Sequence, residues 1–239
     1  MINFFKLLKW SLLISILILL IKFTNRSTLN QKIKINHISI EATEEKFLTD
    51  QNILKYIKKL FPNFGNTKIN SFQSAKLEAY LMLHPAIKSA EVYFEQNGKI
   101  GIVIDQKKAV VRIKTLNDDY YLDERGEKMK LCENYFPKLI VASGNISAAN
   151  HKQIFDFIRF LSKSKFWNAQ ICQIYFAKED IFLIPSIGDH KINIGNFNNI
   201  SSKLDNLYKF YTKAISNKGW QTYSEINLKF NNQIVCTKR

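Results

Sequence analysis

The chain has 239 residues, 46% of them hydrophobic, and a formal charge of +15. This length allows one large or two small domains, and the apolar content excludes a disordered chain. Eight Gly and four Pro leave no low-complexity linker, and three widely spaced cysteines, Cys132, Cys172 and Cys236, define no disulfide framework and read as small buried hydrophobes.

The basic excess is spread along the chain, densest at Lys58-Lys59 and Lys107-Lys108. A spread excess suits an anionic membrane surface or an acidic partner as well as it suits nucleic acid. No zinc finger, Arg-rich run or RNA-binding aromatic signature accompanies it, which makes nucleic acid the weaker reading.

The first predicted element is FFKLLKWSLLISILILLIKF, residues 4–23. Its uncharged core, Trp10 to Ile21, is short for a span by itself. Lys6, Lys9 and Lys22 can extend their stems to place ammonium groups at the interfaces, and the whole stretch then makes about 30 Å of helix. A cleaved signal peptide is the competing reading. No A-x-A site follows, so an uncleaved transmembrane helix is expected over 4–23 behind a short start, 1–3. The Lys and Arg count on its two sides does not orient it.

Ile33 to Ile40 reads as a strand whose alternation slips at Asn36-His37. A helix follows from Thr49, a good N-cap, with Ile53, Ile57, Leu60 and Phe61 on one face, and Pro62 and Gly65 end it. A second helix from Ser71 or Ser74 buries Leu77, Tyr80 and Leu81 and stops before Pro85. Ala90, Val92 and Phe94 then alternate with polar neighbours, Asn97-Gly98 suits a tight turn, and Ile100, Ile102 and Ile104 alternate in a returning strand. The order is strand, helix, helix, strand, strand.

Beyond it, residues 107–146 are strand-like. Ala109 to Ile113 starts a new strand, Asp118-Asp119 turns into Tyr120 to Leu122, and Asp123 to Gly126 forms the next turn. A helix from Asn150 aligns Ile154, Phe157, Ile158 and Leu161. Short strands are expected at Ile171, Ile174–Phe176, Ile181–Ile184 and Lys191–Gly195. A late helix from Ser201 carries Leu204, Leu207, Tyr208, Tyr211 and Ile215, and Asn217-Lys218-Gly219 ends it. In the last strand Ile226, Leu228 and Phe230 face one way and Asn227 and Lys229 the other, with Ile234 and Cys236 as its continuation. The fold class is α+β: one N-terminal transmembrane helix, a small α/β unit over 33–105, then a mixed β-sheet domain with late helices over 106–239.

No convergent chemistry emerges. His37, His84, His151 and His190 lack metal-ligand spacing, and there is no phosphate-cradling glycine loop or nucleophile elbow. Asp118, Asp119, Asp123 and Glu124 form the one acidic cluster, which reads as turn residues rather than as a general acid and base. The expectation is a non-enzymatic protein with no cofactor, metal or small-molecule substrate, whose product is binding surface. A terminal strand at a sheet edge would offer unpaired N–H and C=O groups to an incoming strand, whereas an interior one would simply complete the fold.

Several stretches in this order resemble the FtsQ/DivIB family of bacterial cell division proteins, in its Bacteroidetes-type form. They are Leu83-His84-Pro85-Ala86-Ile87-Lys88-Ser89-Ala90-Glu91-Val92, the hairpin to Ile104, and Lys107-Lys108-Ala109-Val110-Val111. Leu122-Asp123-x-x-Gly126, the Pro137 to Gly144 strand, Ile194-Gly195 with Lys203-Leu204, and Gly219-Trp220 leading into Tyr223 to Val235 complete them. Glu41-Ala42, where the family turns on a glycine, and a hinge without the usual Glu and Pro depart from the pattern.

The resemblance implies a POTRA domain over 33–105 and an FtsQ-type β domain over 106–239. It implies a single-pass protein of the cell inner membrane, N-terminus cytoplasmic and bulk periplasmic, acting as a scaffold that recruits and links division proteins at the septum. The implied partners are other division proteins, especially small single-pass coiled-coil proteins that add a strand to the last edge strand. By position that edge would be Asn227, Lys229, Phe230, Asn232 and Ile234. The alternative is a POTRA protein of envelope assembly or secretion, which calls for repeated POTRA units or a downstream barrel. A membrane-anchored hydrolase would need a cleft gathering Asp118, Asp119 and a histidine.

Overall fold

A computed structural model describes every residue except 1, 30–31, 42–46, 96–98, 133–134, 216–218 and 231–232, and every side chain among these except 2–7, 23–29 and 70. The chain divides into two compact units, Met1–Gln106 and Lys107–Arg239.

The first unit opens with helix α1, Ile2–Leu29. Its large apolar side chains from Leu8 to Ile21 are all exposed. Among the described residues no helix is long and apolar enough to cross a membrane, and α1 contributes to that set only the side chains from Leu8 to Lys22. Then come β1 (Lys34–Ile40), α2 (Asp50–Leu60), two short 3-10 turns, α3 (Ser74–Leu81), β2 (Ile87–Phe94) and β3 (Lys99–Gln106). Thr49 caps α2 as its spacing predicts, accepting from the Asn52 amide at 3.3 Å. The sheet runs β1-β3-β2, with β1 parallel and β2 antiparallel to β3.

The slip read at Asn36-His37 is a register shift between Ile35 and His37, and it keeps isoleucines facing the helices on both sides of it. Ile53 and Ile57 of α2 and Leu77 and Leu81 of α3 are buried with Ile100, Ile102 and Ile104, none more than 1% exposed. The Asn97-Gly98 turn lies outside the described residues. Gly101 serves the opposite face of the sheet. A Cβ there would collide with the Tyr93 ring, whose hydroxyl instead reaches His37 Nε2 at 2.9 Å.

The second unit holds β4 (Ala109–Lys114), β5 (Asp119–Asp123), β6 (Lys128–Lys130), β7 (Val141–Gly144), α4 (His151–Ser162), α5 (Lys165–Gln170), β8 (Ile171–Phe176), β9 (Ile181–Pro185) and β10 (Lys191–Gly195). Helix α6 (Ile200–Phe210), which runs on as a π turn over Tyr211–Ile215, then leads to β11 (Tyr223–Asn227) and β12 (Val235–Lys238). All the strands join one nine-stranded sheet, in the order β12-β11-β10-β9-β8-β7-β4-β5-β6. Pairs bridged by helices, β7–β8 and β10–β11, are parallel, as a crossover requires. One core joins the sheet to the helices: Val111, Ile113, Ile154, Leu161, Ile174, Leu183, Ile192, Leu207 and Ile226 are fully buried in it.

Five expectations from the sequence are corrected. Of the three cysteines read as buried, Cys132 is, but Cys172 is exposed and Cys236 half-buried. Helix α5 was not anticipated; six residues are too few to display a period, though Ser164 caps it through the Trp167 amide. The strand expected from Pro137 narrows to Val141–Gly144. Tyr208 leaves the core face of α6, 46% exposed and edge-on to Phe166, while Leu204, Leu207, Tyr211 and Ile215 carry the packing. The single terminal strand is two strands, because the chain leaves β11 after Asn227 and returns antiparallel as β12.

Candidate partner-binding edge

Each margin of an open sheet carries a row of backbone N–H and C=O groups with no strand beyond it. The C-terminal strand β12 is one such margin, hydrogen-bonded on one side to β11. How the chain arrives there is local chemistry. The Leu228 amide still donates to the Asn193 carbonyl at 2.8 Å, extending the β10–β11 pairing. Asn227 Oδ1 then accepts from the Lys229 amide at 3.0 Å, an Asx turn that ends the ladder.

The returning strand pairs Val235 with Asn227, Cys236 with Ile226 and Thr237 with Glu225. Ser224 Oγ donates to the Thr237 carbonyl at 3.2 Å. Arg239 fastens the far end: its amide donates to the Thr222 carbonyl at 3.3 Å and its guanidinium to the Asp189 carbonyl at 2.9 Å.

Beside the start of β12 lies a groove of about 280 Å³. Leu228, Phe230 and Ile234 form its apolar side, and Ser202, Lys203 and Asn206 of α6 its polar side. Phe230 is 49% exposed. Lys203 is not a free charge, because its ammonium donates to the carbonyls of Ile194 at 2.7 Å and Asn196 at 3.0 Å, and burial pushes its pKa down. Asn199 precedes α6 in the left-handed region, φ 55°.

A second, polar patch adjoins the groove. Asp180 accepts from Asn193 Nδ2 at 2.9 Å and from Lys229 Nζ at 2.9 Å, and Asn193 and Lys229 hold its carboxyl below the usual range. The Lys229 stem lies across Gly195, where a Cβ would come within 2.8 Å of its Cγ.

Of the residues expected at the edge, Asn227 ends β11, Lys229 is drawn to Asp180, and Phe230 and Ile234 meet in the groove. Asn232 lies outside the described residues. These positions flank the margin, and Val235–Lys238, which the sequence reading did not single out, make the margin itself. A signal for them existed: the short apolar run Ile234-Val235-Cys236 follows Asn231-Asn232, and Asn is a favoured turn residue.

The acidic cluster is structural. Arg112 grips Asp119 through two bonds of 2.8 and 2.7 Å, and Lys128 meets Asp118 at 3.3 Å. Asp123 is buried, and its carboxylate accepts from the amides of Arg125 and Glu127 and from Lys107 Nζ, each at 2.9 Å. Burial pushes that carboxyl up, but the Lys107 and amide bonds outweigh it and leave it low. His151 bonds Tyr120, and His190 bonds Tyr211, each through Nε2. Among the described residues no three His, Cys, Asp or Glu side chains gather as a metal site.

Residues 108–237 match the family described as FtsQ/DivIB, C-terminal related. The chain belongs to that family. In this FtsQ/DivIB-related chain, residues 30–105 match a POTRA-like domain. No curated protein matches it. FtsQ/DivIB-related and POTRA-like domains are non-catalytic parts of scaffolds, and the former belong to cell division.

Proposed function

We propose that this FtsQ/DivIB-related protein is a membrane-anchored, non-enzymatic scaffold of the bacterial division machinery that recruits and links division proteins at the septum. Residues 4–23 within α1 are its anchor, with the N-terminus cytoplasmic and the bulk periplasmic. Its second unit takes a strand from a small single-pass coiled-coil partner at the C-terminal margin. Main-chain hydrogen bonds along Val235–Lys238 supply affinity, and Phe230 and Ile234 select an apolar side chain of the partner. Asn227, Lys229 and Asn232 flank that contact.

The observation that carries the reading is β12 at the sheet margin beside the half-exposed Phe230. Support for the anchor is length: residues 4–23 in a helix cover about 30 Å, one hydrocarbon core. Photo-crosslinking in dividing cells tests the edge, with probes at Phe230 and Val235 and a control at Lys130 on the opposite margin. Capture of a small single-pass protein at the first two and not at Lys130 is the expected result. Silence at both, with the protein abundant, sinks the strand-addition reading.

A further inference from the structure

The first unit is electrically lopsided. Lys34 and Lys99 stand side by side where β1 and β3 begin. Lys32 bridges to Lys68 at the same end, and Lys58, in the last turn of α2, shares a groove with Lys34. The acid at this end, Glu95, is already committed, to His37 Nδ1 at 3.1 Å and Asn36 Nδ2 at 2.7 Å. The far end holds Glu41, Asp50 and Asp105, the last paired with Lys88 at 3.0 Å.

The lysine end is also apolar. The groove between β1 and α2 measures about 710 Å³ and is walled by Ile33, Ile35, Leu54, Ile57, Pro62 and Phe64. Beside it Phe64, Phe72 and Phe94 stack edge to face in a row, 5.9 and 5.7 Å between ring centres, and Phe94 is 48% exposed. Lysines around one exposed aromatic ring, Phe94, and an apolar groove form a surface composition that settles at a membrane–water interface.

Chain length sets where this end can be. If residues 4–23 span the bilayer, the helical turns after Phe23 add about 9 Å, and the steps from Leu29 to Lys32 reach at most about 11 Å. The lysine end therefore stays within about 20 Å of the headgroups, whatever path the chain takes, and the acidic end points along the strands away from that tether.

We infer that the chain-entry end of the first unit docks on the anionic phospholipid surface of the leaflet from which α1 emerges, with Lys34, Lys58, Lys68 and Lys99 against headgroups and Phe94 at the interface. This rests on the anchor reading above. Docking of this kind would fix the first unit upright on the membrane and leave the second unit to the partner.

The test uses the full chain in nanodiscs of phosphatidylcholine alone or with about one-third phosphatidylglycerol. Amide exchange is followed at 32–35, 58–68 and 99–101. Several-fold slower exchange is expected in the anionic discs only, fading at high salt as surface charge is screened. Replacing Lys34, Lys58 and Lys99 by Gln should weaken the docking equilibrium about fivefold per lysine and so abolish the protection, while Lys152→Gln with Lys178→Gln in the second unit leaves it unchanged. Circular dichroism checks that each variant folds. Equal exchange in both discs, or protection that survives the triple variant, overturns the docking alone. Protection that appears only on adding a polypeptide partner also overturns it and makes the groove a peptide site. A chain that never enters discs sinks the anchor and the docking together.

Discussion

At one margin of the nine-stranded sheet β6 offers three residues, of which Lys128 and Lys130 are charged and exposed and Met129 is buried; at the other β12 offers four, led by a Val235 that is 45% exposed. Lys128 lies over the Tyr120 ring at 4.1 Å and pairs with Asp118, and an incoming strand would crowd these contacts and the exposed Lys130. Short strands flanked by lysine are how sheets discourage edge-to-edge pairing. At β12 the terminal arginine is turned aside onto Asp189, and the residues leading in, Phe230 and Ile234, are apolar. Lying at a margin does not by itself make a strand a docking edge. What differs between the two is the order of side chains along the backbone row: β6 has a lysine at each end, whereas β12 starts on the apolar Val235 and carries its one lysine, Lys238, at its end.

The comparison can be broken from beneath. Ile226 is fully buried on β11, between β10 and β12, and Ile226→Ala should cost about 3 kcal/mol by leaving a cavity. Thermal unfolding measures that cost. Amide exchange should show protection falling at 235–238 while β5 and β6 keep theirs.

Next in size is the support of β6. Asp123→Ala leaves the amides of Arg125 and Glu127 without their acceptor and should cost about 2 kcal/mol. Its pH dependence has a definite sign. The folded pKa of Asp123 is depressed, so its contribution is complete above the unfolded value, about 3.9, and is lost as pH falls through the folded value. Asp123→Asn should therefore be less stable than the parent near neutrality, and the gap should narrow as pH falls below about 4. A gap that stays constant in acid would contradict the assignment of charge to that carboxylate.

Phe230→Ala sharpens the contrast at the other margin. Half-exposed, the ring adds little to folding, so the melting temperature should hold, whereas partner crosslinking from Val235 should drop about tenfold. Last, Lys128→Val with Lys130→Val should cost about 1 kcal/mol or less, through loss of the Lys128 contacts with the Tyr120 ring and Asp118. Sedimentation should nevertheless show concentration-dependent self-association. A strictly monomeric variant would mean that β6 is protected by its length and not by its lysines.

Much of the fold follows from local pattern. The isoleucines of β3, the Thr49 cap, the slip at Asn36-His37 and the aligned face of α4 are each encoded within a few residues, by the period of the side chains or by one capping oxygen. The candidate site was legible only in part. Phe230 and Ile234 stand out as apolar residues near the C-terminus, yet only the return of β12 brings them against α6. Lys229 reads as a free surface charge until Asp180, far away in sequence, claims it.

By itself, the sequence determined the elements: the alternating runs, the helical faces, the long apolar N-terminal helix and the charge. The tertiary structure alone decided which strand is the margin. Strand order depends on which of several similar apolar faces pair across long stretches of chain, and that choice is made by the summed burial of the core, not by any single segment. It also gathered lysines from both ends of the first unit's sequence at one end of its sheet, because parallel pairing of β1 with β3 puts their first residues side by side.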